Sequence, residues 1–418
     1  MQLLSKVLSR LIRTGRLTVI DVDGRTHRFE GAPGPEATMR LKDKSLYRSL
    51  VFKTELAFGE GYMDGTLEPV GHDIYQLLEV MLSNRDNLAD IAAYRWLSRF
   101  DRVLRPLHQA NRLKRAKSNV AHHYDISNDL YRLFLDQDMQ YSCAYFRAPD
   151  ETLEQAQLNK KLHIAAKLAL KPGMKVLDIG CGWGGMAMTL AEMTDVEVLG
   201  ITLSEAQLEL GRERVKAAGL DGRVRLELMD YRNVDERLDR IVSVGMFEHV
   251  GVPNYDTFFA KVRDILKPDG VALLHSIGRK DPPGSTGTWI RKYIFPGGYT
   301  PALSEVFQST ERSGLWVTDC EVLRLHYALT LKHWRQRFLA NLERVKEIND
   351  ERFCRMWEFY LAACEAYFRY EGGHVFQMQL TRDRAAVPLT RDYMIDGERD
   401  LHDRSSGTGA GAGQAAAE

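Results

Sequence analysis

The chain has 418 residues, 44% of them hydrophobic and 27% charged, with 57 Lys+Arg balanced by 57 Asp+Glu. That length holds one large domain plus a smaller one, or two comparable ones, and the charge balance excludes a molecule that binds polyanions over its whole surface, so any basic partner surface is local. Five scattered cysteines (Cys143, Cys181, Cys320, Cys354, Cys364) without a CxxC pair predict a reducing compartment and no structural metal, and no run approaches the roughly 18 apolar residues of a membrane span.

At the amino terminus, MQLLSKVLSRLI puts Leu3, Leu4, Val7, Leu8, Leu11 and Ile12 on one helical face with Lys6, Arg10 and Arg13 off it. Charges inside the run argue against a signal peptide, which leaves a helix lying on an anionic bilayer or one docked on its own domain. Alternation from Arg16 to Phe29 around Asp23 and Gly24 predicts a hairpin, with a short strand at 39–42. Helices are expected at 44–52 and 73–82, and FGEGYMDG (58–65) lies between them. Helical pattern then runs from Leu88 to about Ser118. It carries Arg95, Arg99, Arg102, Arg105, Arg112, Lys114, Arg115 and Lys117 against Asp101, with Tyr94, Trp96 and Phe100 interleaved. This is either a local surface for lipid phosphates or nucleic acid, or a solvated face paired to acids elsewhere. AHHYDIS (121–127) and QYSCAYF (140–146) are dense polar and aromatic clusters that read as ordered loops.

A helix over 153–170 leads to VLDIGCGWGG (176–185), a strand, a glycine turn and a helix start. The glycines let the backbone take positive φ and let a ligand lie against bare amides. Strands expected at 175–180, 196–202, 224–230, 239–246 and 271–278 alternate with helices near 185–194, 204–218 and 255–266. Such alternation means a parallel sheet covered on both faces, with ligands at the carboxyl ends of its strands. A Pro- and Gly-rich insertion, 279–300, holds Trp289, Tyr293, Phe295 and Tyr299 beside Arg279, Lys280, Arg291 and Lys292, and reads as a lid. A strand at 316–326, helices at 327–346 and 350–369 and a strand at 374–381 complete the domain. The end of the chain, low in complexity from Arg404, is expected to be disordered.

A nicotinamide enzyme normally carries an acid at the end of its second strand. Here that strand ends Gly200, Ile201, Thr202, Leu203, Ser204, with no acid. Ser204 and Gln207 have the spacing of a capping box, while Thr202 and Gln207 are polar groups aimed at the crevice. Asp230, followed by Tyr231, stands where a carboxylate and an aromatic would hold an adenine. This arrangement resembles the class I S-adenosylmethionine methyltransferases: an α/β, Rossmann-like fold with a seven-stranded, mostly parallel sheet and helices on both faces, plus a small α+β amino-terminal domain. The expected boundaries are 1–118 for the amino-terminal domain with its exit helix, 119–396 for the catalytic domain and 397–418 for a disordered tail. The strand ends GMFEHVG (245–251) and LLHSIG (273–278) make Glu248, His249 and His275 candidate catalytic groups.

HHYDISNDLY, QYSCAYF, VLDIGCGWGG, GITLSEAQ, FEHVG, LLHSIG, WIRKYIFPGGY and LRLHYALTL, in that order, resemble the cyclopropane fatty acid synthase family of S-adenosylmethionine-dependent enzymes, from about Leu17 to Met394. The resemblance implies transfer of the sulfonium methyl to a cis double bond of a phospholipid acyl chain. The resulting carbocation loses a proton from the new methyl group to a bound bicarbonate and closes to a cyclopropane. It carries bicarbonate contacts over to Cys143, Glu248, His275, Ile277 and Tyr327. Cofactor contacts carry over to Tyr141, Ser142, Gly180, Gly182, Thr202, Gln207, Asp230 and Tyr231, with no metal. It further implies unsaturated membrane phospholipids as substrate, an anionic bilayer surface as partner, a homodimer, no nucleic acid, and a cytoplasmic enzyme attached peripherally to the inner face of the membrane. Cys143 fits a packing group or anion neighbour better than a nucleophile. Thr66, Leu67 and Glu68 follow GYMDG where many relatives have a Trp, and Ser127 stands where a Gly is frequent. Enzymes of this sequence type also make methyl-branched chains by C-methylation, and residue identity does not separate the two fates of one cation.

Overall fold

The computed structural model describes residues 1–90 and 127–412, so the basic stretch 95–117 and residues 121–126 of AHHYDIS lie outside the described residues. The chain divides into two compact units. One comprises Met1–His108, Gly284–Gly298 and Tyr327–Gly373, and the other Gln109–Pro283, Tyr299–His326 and His374–Glu418. This differs from the expected boundaries, because two segments of the expected catalytic stretch belong to the first unit.

In the first unit, α1 (Gln2–Leu11) buries Leu4, Leu8 and Leu11, while Leu3 stays exposed; the apolar face is docked on its own domain. Strands β1 (Thr14–Ile20) and β2 (Thr26–Glu30) form the expected antiparallel hairpin. Its turn closes on Gly24 at φ +80°, and the Asp21 carboxylate accepts from the Asp23 and Arg25 amides. Strand β3 (Ala32–Leu41) runs parallel to β1, and β4 (Leu67–Pro69) completes a sheet of order β2-β1-β3-β4. Helices α2 (Leu46–Phe52), α3 (Thr54–Met63) and α4 (Ile74–Leu82) follow the strands' connections, and most of FGEGYMDG falls in α3. Asp73 and Gln76 form a capping box at the start of α4.

Residues 284–298 of the insertion read as a lid belong to this unit and are tied to α3. Glu55 accepts from the amides of Thr288 (2.9 Å) and Trp289 (3.3 Å), which caps the helix Thr288–Tyr293 from another part of the chain. A Cβ on Gly59 would stand 2.4 Å from the Trp289 indole, so glycine is what lets α3 receive that ring. The helices His326–Ala340 and Glu351–Tyr370 join the same unit through polar contacts in its interior. Tyr62 donates to Glu358 at 2.7 Å, and the Arg335 guanidinium bridges Asp73 and Glu365 at 2.8 and 3.0 Å.

The second unit holds α5 (Asn128–Phe134), α6 (Leu153–Lys167) and a sheet built from β5 (Lys175–Ile179), β6 (Glu197–Thr202), β7 (Val224–Leu228), β8 (Leu238–Val244), β9 (Leu266–Arg279), β10 (Trp316–Leu323) and β11 (Gly373–Thr381). Their order is β10-β11-β9-β8-β5-β6-β7; β5 to β9 are parallel and β10 pairs antiparallel with β11, which is the class I methyltransferase sheet. Alternate residues feed two cores, Leu177 and Ile179 into one and Val176 into the other. Helices α7 (Gly185–Thr194) and α8 (Glu205–Ala217) pack with the Val176 side, and α9 (Tyr255–Ile265) and α10 (Leu303–Ser313) with the other.

The carboxyl-terminal stretch expected to be disordered is helical through Ala412, as α11 (Asp392–Ala412). Leu401 is buried with the core around α6, and Glu398 reaches His163 on α6. Burial of Leu401 and Met394, with the Glu398–His163 pair, supplies what composition alone does not show. His163 is held at 2.8 Å by both Glu321 and Glu398, and Glu321 also takes Lys167. Burial opposes a charge on His163, yet the hydrogen bonds from the two carboxylates outweigh it and its pKa lies above 6.5. A raised histidine pKa stabilises the fold fully below the unfolded value and loses that contribution as pH rises through the folded value. His163→Gln is therefore expected to cost about 2 kcal/mol at pH 5.5 and much less at pH 8.5, read as the gap between mutant and wild-type thermal unfolding curves.

Candidate active site

The carboxyl ends of β5, β6 and β8 open onto one cleft. Its floor is the glycine turn: Gly180, Gly182 and Gly184 have φ of +85°, +54° and +81°, where an L side chain is strained. The Gly180 and Cys181 amides both donate to the Ile201 carbonyl (2.9 and 3.0 Å), which ties the turn to the end of β6. A Cβ on Gly180 would come within 2.9 Å of Met246, whereas one on Gly182 would meet nothing within 4 Å and would occupy the cleft itself. The space is thus kept open by a missing side chain, as a ligand lying on backbone requires.

All eight residues expected to contact the cofactor line this one cleft: Tyr141, Ser142, Gly180, Gly182, Thr202, Gln207, Asp230 and Tyr231. Ser204 caps α8 by accepting from the Gln207 amide, but the Gln207 side chain does not close the capping box. It accepts instead from the Thr202 hydroxyl at 3.1 Å, so the two polar groups are fixed against each other at the rim. Asp230 is held in a fork by Arg232, with Nε and Nη2 each 2.7 Å from a carboxylate oxygen. Burial pushes the Tyr231 hydroxyl up to about 12, so it stays protonated.

Several cleft residues carry signals that the sequence reading left unassigned. Asp178, the acid in VLDIG, lines the floor with Oδ2 buried and unpartnered, and burial pushes its pKa up to about 7. Trp183 donates to Asn128 at 2.8 Å, and Tyr131 packs edge-on against both Trp183 and Tyr141, each at 5.1 Å between ring centres. The α5 motif ISNDLY therefore buttresses the cleft wall. His249, already a candidate catalytic group from its strand end, also lines the cleft, and burial lowers its pKa to about 4, which keeps the imidazole neutral.

The expected catalytic residues fall in three places. Glu248, His275 and Ile277 come together at the ends of β8 and β9. The short 3₁₀ turn Phe247–His249 sends His249 to the cleft and Glu248 to β9, where Oε1 accepts from the Ile277 amide at 2.7 Å. The other oxygen, Oε2, is buried without a hydrogen-bond partner, and burial raises the carboxyl pKa. The His275 carbonyl accepts from Gly245, and its ring Nδ1 lies 3.2 Å from the Gln377 amide nitrogen. With Gln377 donating, the ring proton sits on Nε2, and burial with the nearby Lys160 charge keeps His275 neutral. Cys143 is buried next to the cleft residue Ser142, and its thiol donates to the Ala144 carbonyl at 3.3 Å. Tyr327 belongs to the first unit, in the opening turn of the helix His326–Ala340, with its ring against Phe368 (4.7 Å) and Trp334 (5.9 Å).

Comparison with known proteins gives a consistent set of likenesses. Residues 111–378 match the family described as mycolic acid cyclopropane synthetase. A probable fatty acid methyltransferase of Pseudomonas putida is 40% identical over 88% of this chain and 94% of its own. The cyclopropane-fatty-acyl-phospholipid synthase of Escherichia coli strain K12 is 41% identical over 83% of this chain and 88% of its own. Among solved structures, that of the mycolic acid cyclopropane synthase CmaA1 complexed with SAH and CTAB is 37% identical, with a TM-score of 0.61 over 63% of this chain and 97% of its own.

A side chain at position 182 both strains a left-handed backbone and fills the cleft. Gly182→Val is expected to weaken binding of S-adenosylhomocysteine by more than about a hundredfold in titration calorimetry, at a cost of about 1–2 kcal/mol in stability.

Proposed function

The chain belongs to the mycolic acid cyclopropane synthetase family, as an S-adenosylmethionine-dependent methyltransferase of the cyclopropane-fatty-acyl-phospholipid synthase type, and from that premise we propose that it converts the cis double bonds of unsaturated phospholipid acyl chains to cyclopropanes. The observation that carries this reading is the Glu248 carboxylate, one oxygen locked by the Ile277 amide and the other buried and unsatisfied, one turn from the cleft.

In this reading the donor's sulfonium supplies a methyl electrophilic enough for a weakly nucleophilic alkene. The chain's part is to hold it: Gly180 and Gly182 offer bare backbone, Thr202 and Gln207 a fixed polar pair, and Asp230 with Tyr231 a carboxylate and ring for the adenine. Tyr141 and Ser142 form the facing wall.

Bicarbonate, when bound, supplies a base for a proton of the transferred methyl. The orphaned Glu248 Oε2 fits such a group, as an acceptor for its hydroxyl, and the Nε2–H of neutral His275 fits as a donor to its oxygens. Because the Ile277 amide is spent on Glu248, Ile277 acts by fixing that carboxylate's direction. Cys143, buried beside the cleft residue Ser142, completes the anion's surroundings in this proposal.

The substrate puts the enzyme at an anionic bilayer surface, and we propose a homodimer attached peripherally to the inner face of the membrane. No helix among the described residues is long and apolar enough to cross a membrane. Exposed Phe52 beside Arg48 and Lys53 in the first unit supports a surface attachment of this kind. A second reading, C-methylation toward methyl-branched chains, is favoured by the similarity to a probable fatty acid methyltransferase.

Vesicles of cis-unsaturated phospholipid supplied with trideuteromethyl donor separate the two. Cyclopropanation keeps two deuteriums in a ring, C-methylation with loss of a chain proton keeps three in a branch, and mass spectrometry of the released fatty acids reads the difference. Glu248→Gln is expected to lower turnover by about a thousandfold while S-adenosylhomocysteine affinity stays within about threefold of wild type. Wild-type turnover in that variant would refute the role given to Glu248.

A further inference from the structure

Helix α6 turns a polar ridge inward. Gln157, Lys160, His163 and Lys167, spaced three or four residues apart, are all buried. His163 and Lys167 meet carboxylates there, but Gln157 and Lys160 meet the wall of the donor cleft. The Gln157 amide donates to the carbonyls of Gln140 (3.2 Å) and Ser142 (3.0 Å). The Lys160 ammonium donates to the side chains of the same two residues, Gln140 Oε1 and Ser142 Oγ, both at 2.7 Å. From its other side the same stretch presses on the glycine turn's helix, because a Cβ on Gly185 would stand 2.3 Å from Gln140 Nε2 and 2.5 Å from Asp138 Oδ2. The wall is clamped between α6 and the first residue of α7.

Lys160 is completely buried, does not itself line the cleft, and spends its hydrogen bonds on two neutral acceptors. A buried ammonium so placed is costly, and for folding alone an apolar side chain of similar length is cheaper. Its position explains that cost: Gln140 and Ser142 are both cleft residues, and each is fixed at its carbonyl by Gln157 and at its side chain by Lys160.

We infer that Lys160 is a positioning residue for the methyl donor, holding the Gln140–Ser142 wall, through its two hydrogen bonds, in the geometry that binds the donor. This rests on the cleft being the donor site. Burial draws the Lys160 pKa down to about 8, which leaves the ammonium mostly protonated at neutral pH.

The test uses the full chain and S-adenosylhomocysteine as probe, with folding followed by circular dichroism. Lys160→Met is expected to raise both the dissociation constant and the KM for S-adenosylmethionine by about tenfold or more, with kcat within about threefold. Lys160→Arg, which keeps the charge and donors, should recover much of the loss. Because Lys160 acts through Ser142, the Lys160→Met effect should be smaller in a Ser142→Ala background. A folded Lys160→Met protein that binds as wild type overturns the inference, and so does an effect of unchanged size in that background. If Lys160→Met does not fold, wild-type binding by Ser142→Ala overturns it. Failure of the donor-site reading is distinct: the wild type then does not bind the probe, or Gly182→Val binds it as well as wild type.

Discussion

Everything at the donor cleft depends on one backbone constraint, the succession of left-handed residues at 180, 182 and 184. It turns the chain from β5 into α7 within a few residues and points two amides at the Ile201 carbonyl. Gly182 leaves the floor bare, and Gly185, with no side chain, lets the segment around Gln140 close against the start of α7. A turn built from residues with side chains would lose these features together, since the strain of positive φ and the steric blocks arise from the same missing Cβ.

Chemistry is then divided by a second, smaller turn. Phe247–His249 sends consecutive residues to opposite sides, His249 to the donor and Glu248 to the end of β9. Burial drives Asp178, Glu248, His249 and His275 toward their neutral forms. Hydrogen bonds, more than ion pairs, hold these groups in place.

Local pattern was a good guide where structure is set locally. The hairpin at Asp23–Gly24, the β/α alternation and the Ser204 cap stand as the residues indicate. The eight residues expected to contact the donor share one cleft because they sit at strand ends and in motifs with fixed spacing. The docking of the insertion 279–300 was not legible locally, because it depends on Glu55 and Gly59, more than two hundred residues away in sequence. The carboxyl-terminal stretch looked unstructured by composition, yet Leu401 and Glu398 attach it to α6. In both cases a few distant partners outweigh local composition.

By itself the sequence determined the β/α alternation from β5 to β9, the glycine turn and the absence of an acid after β6, since these follow from backbone geometry and short-range spacing. Only the tertiary structure decided which unit each segment joins and what the polar side of α6 is for. Gln157, Lys160, His163 and Lys167 have the composition of a solvated helix face, and they become an interior ridge because the cleft wall takes the first two and the carboxylates of β10 and α11 take His163 and Lys167. Periodicity shows which residues share a face. Whether a polar face meets water or a partner is settled by what folds against it.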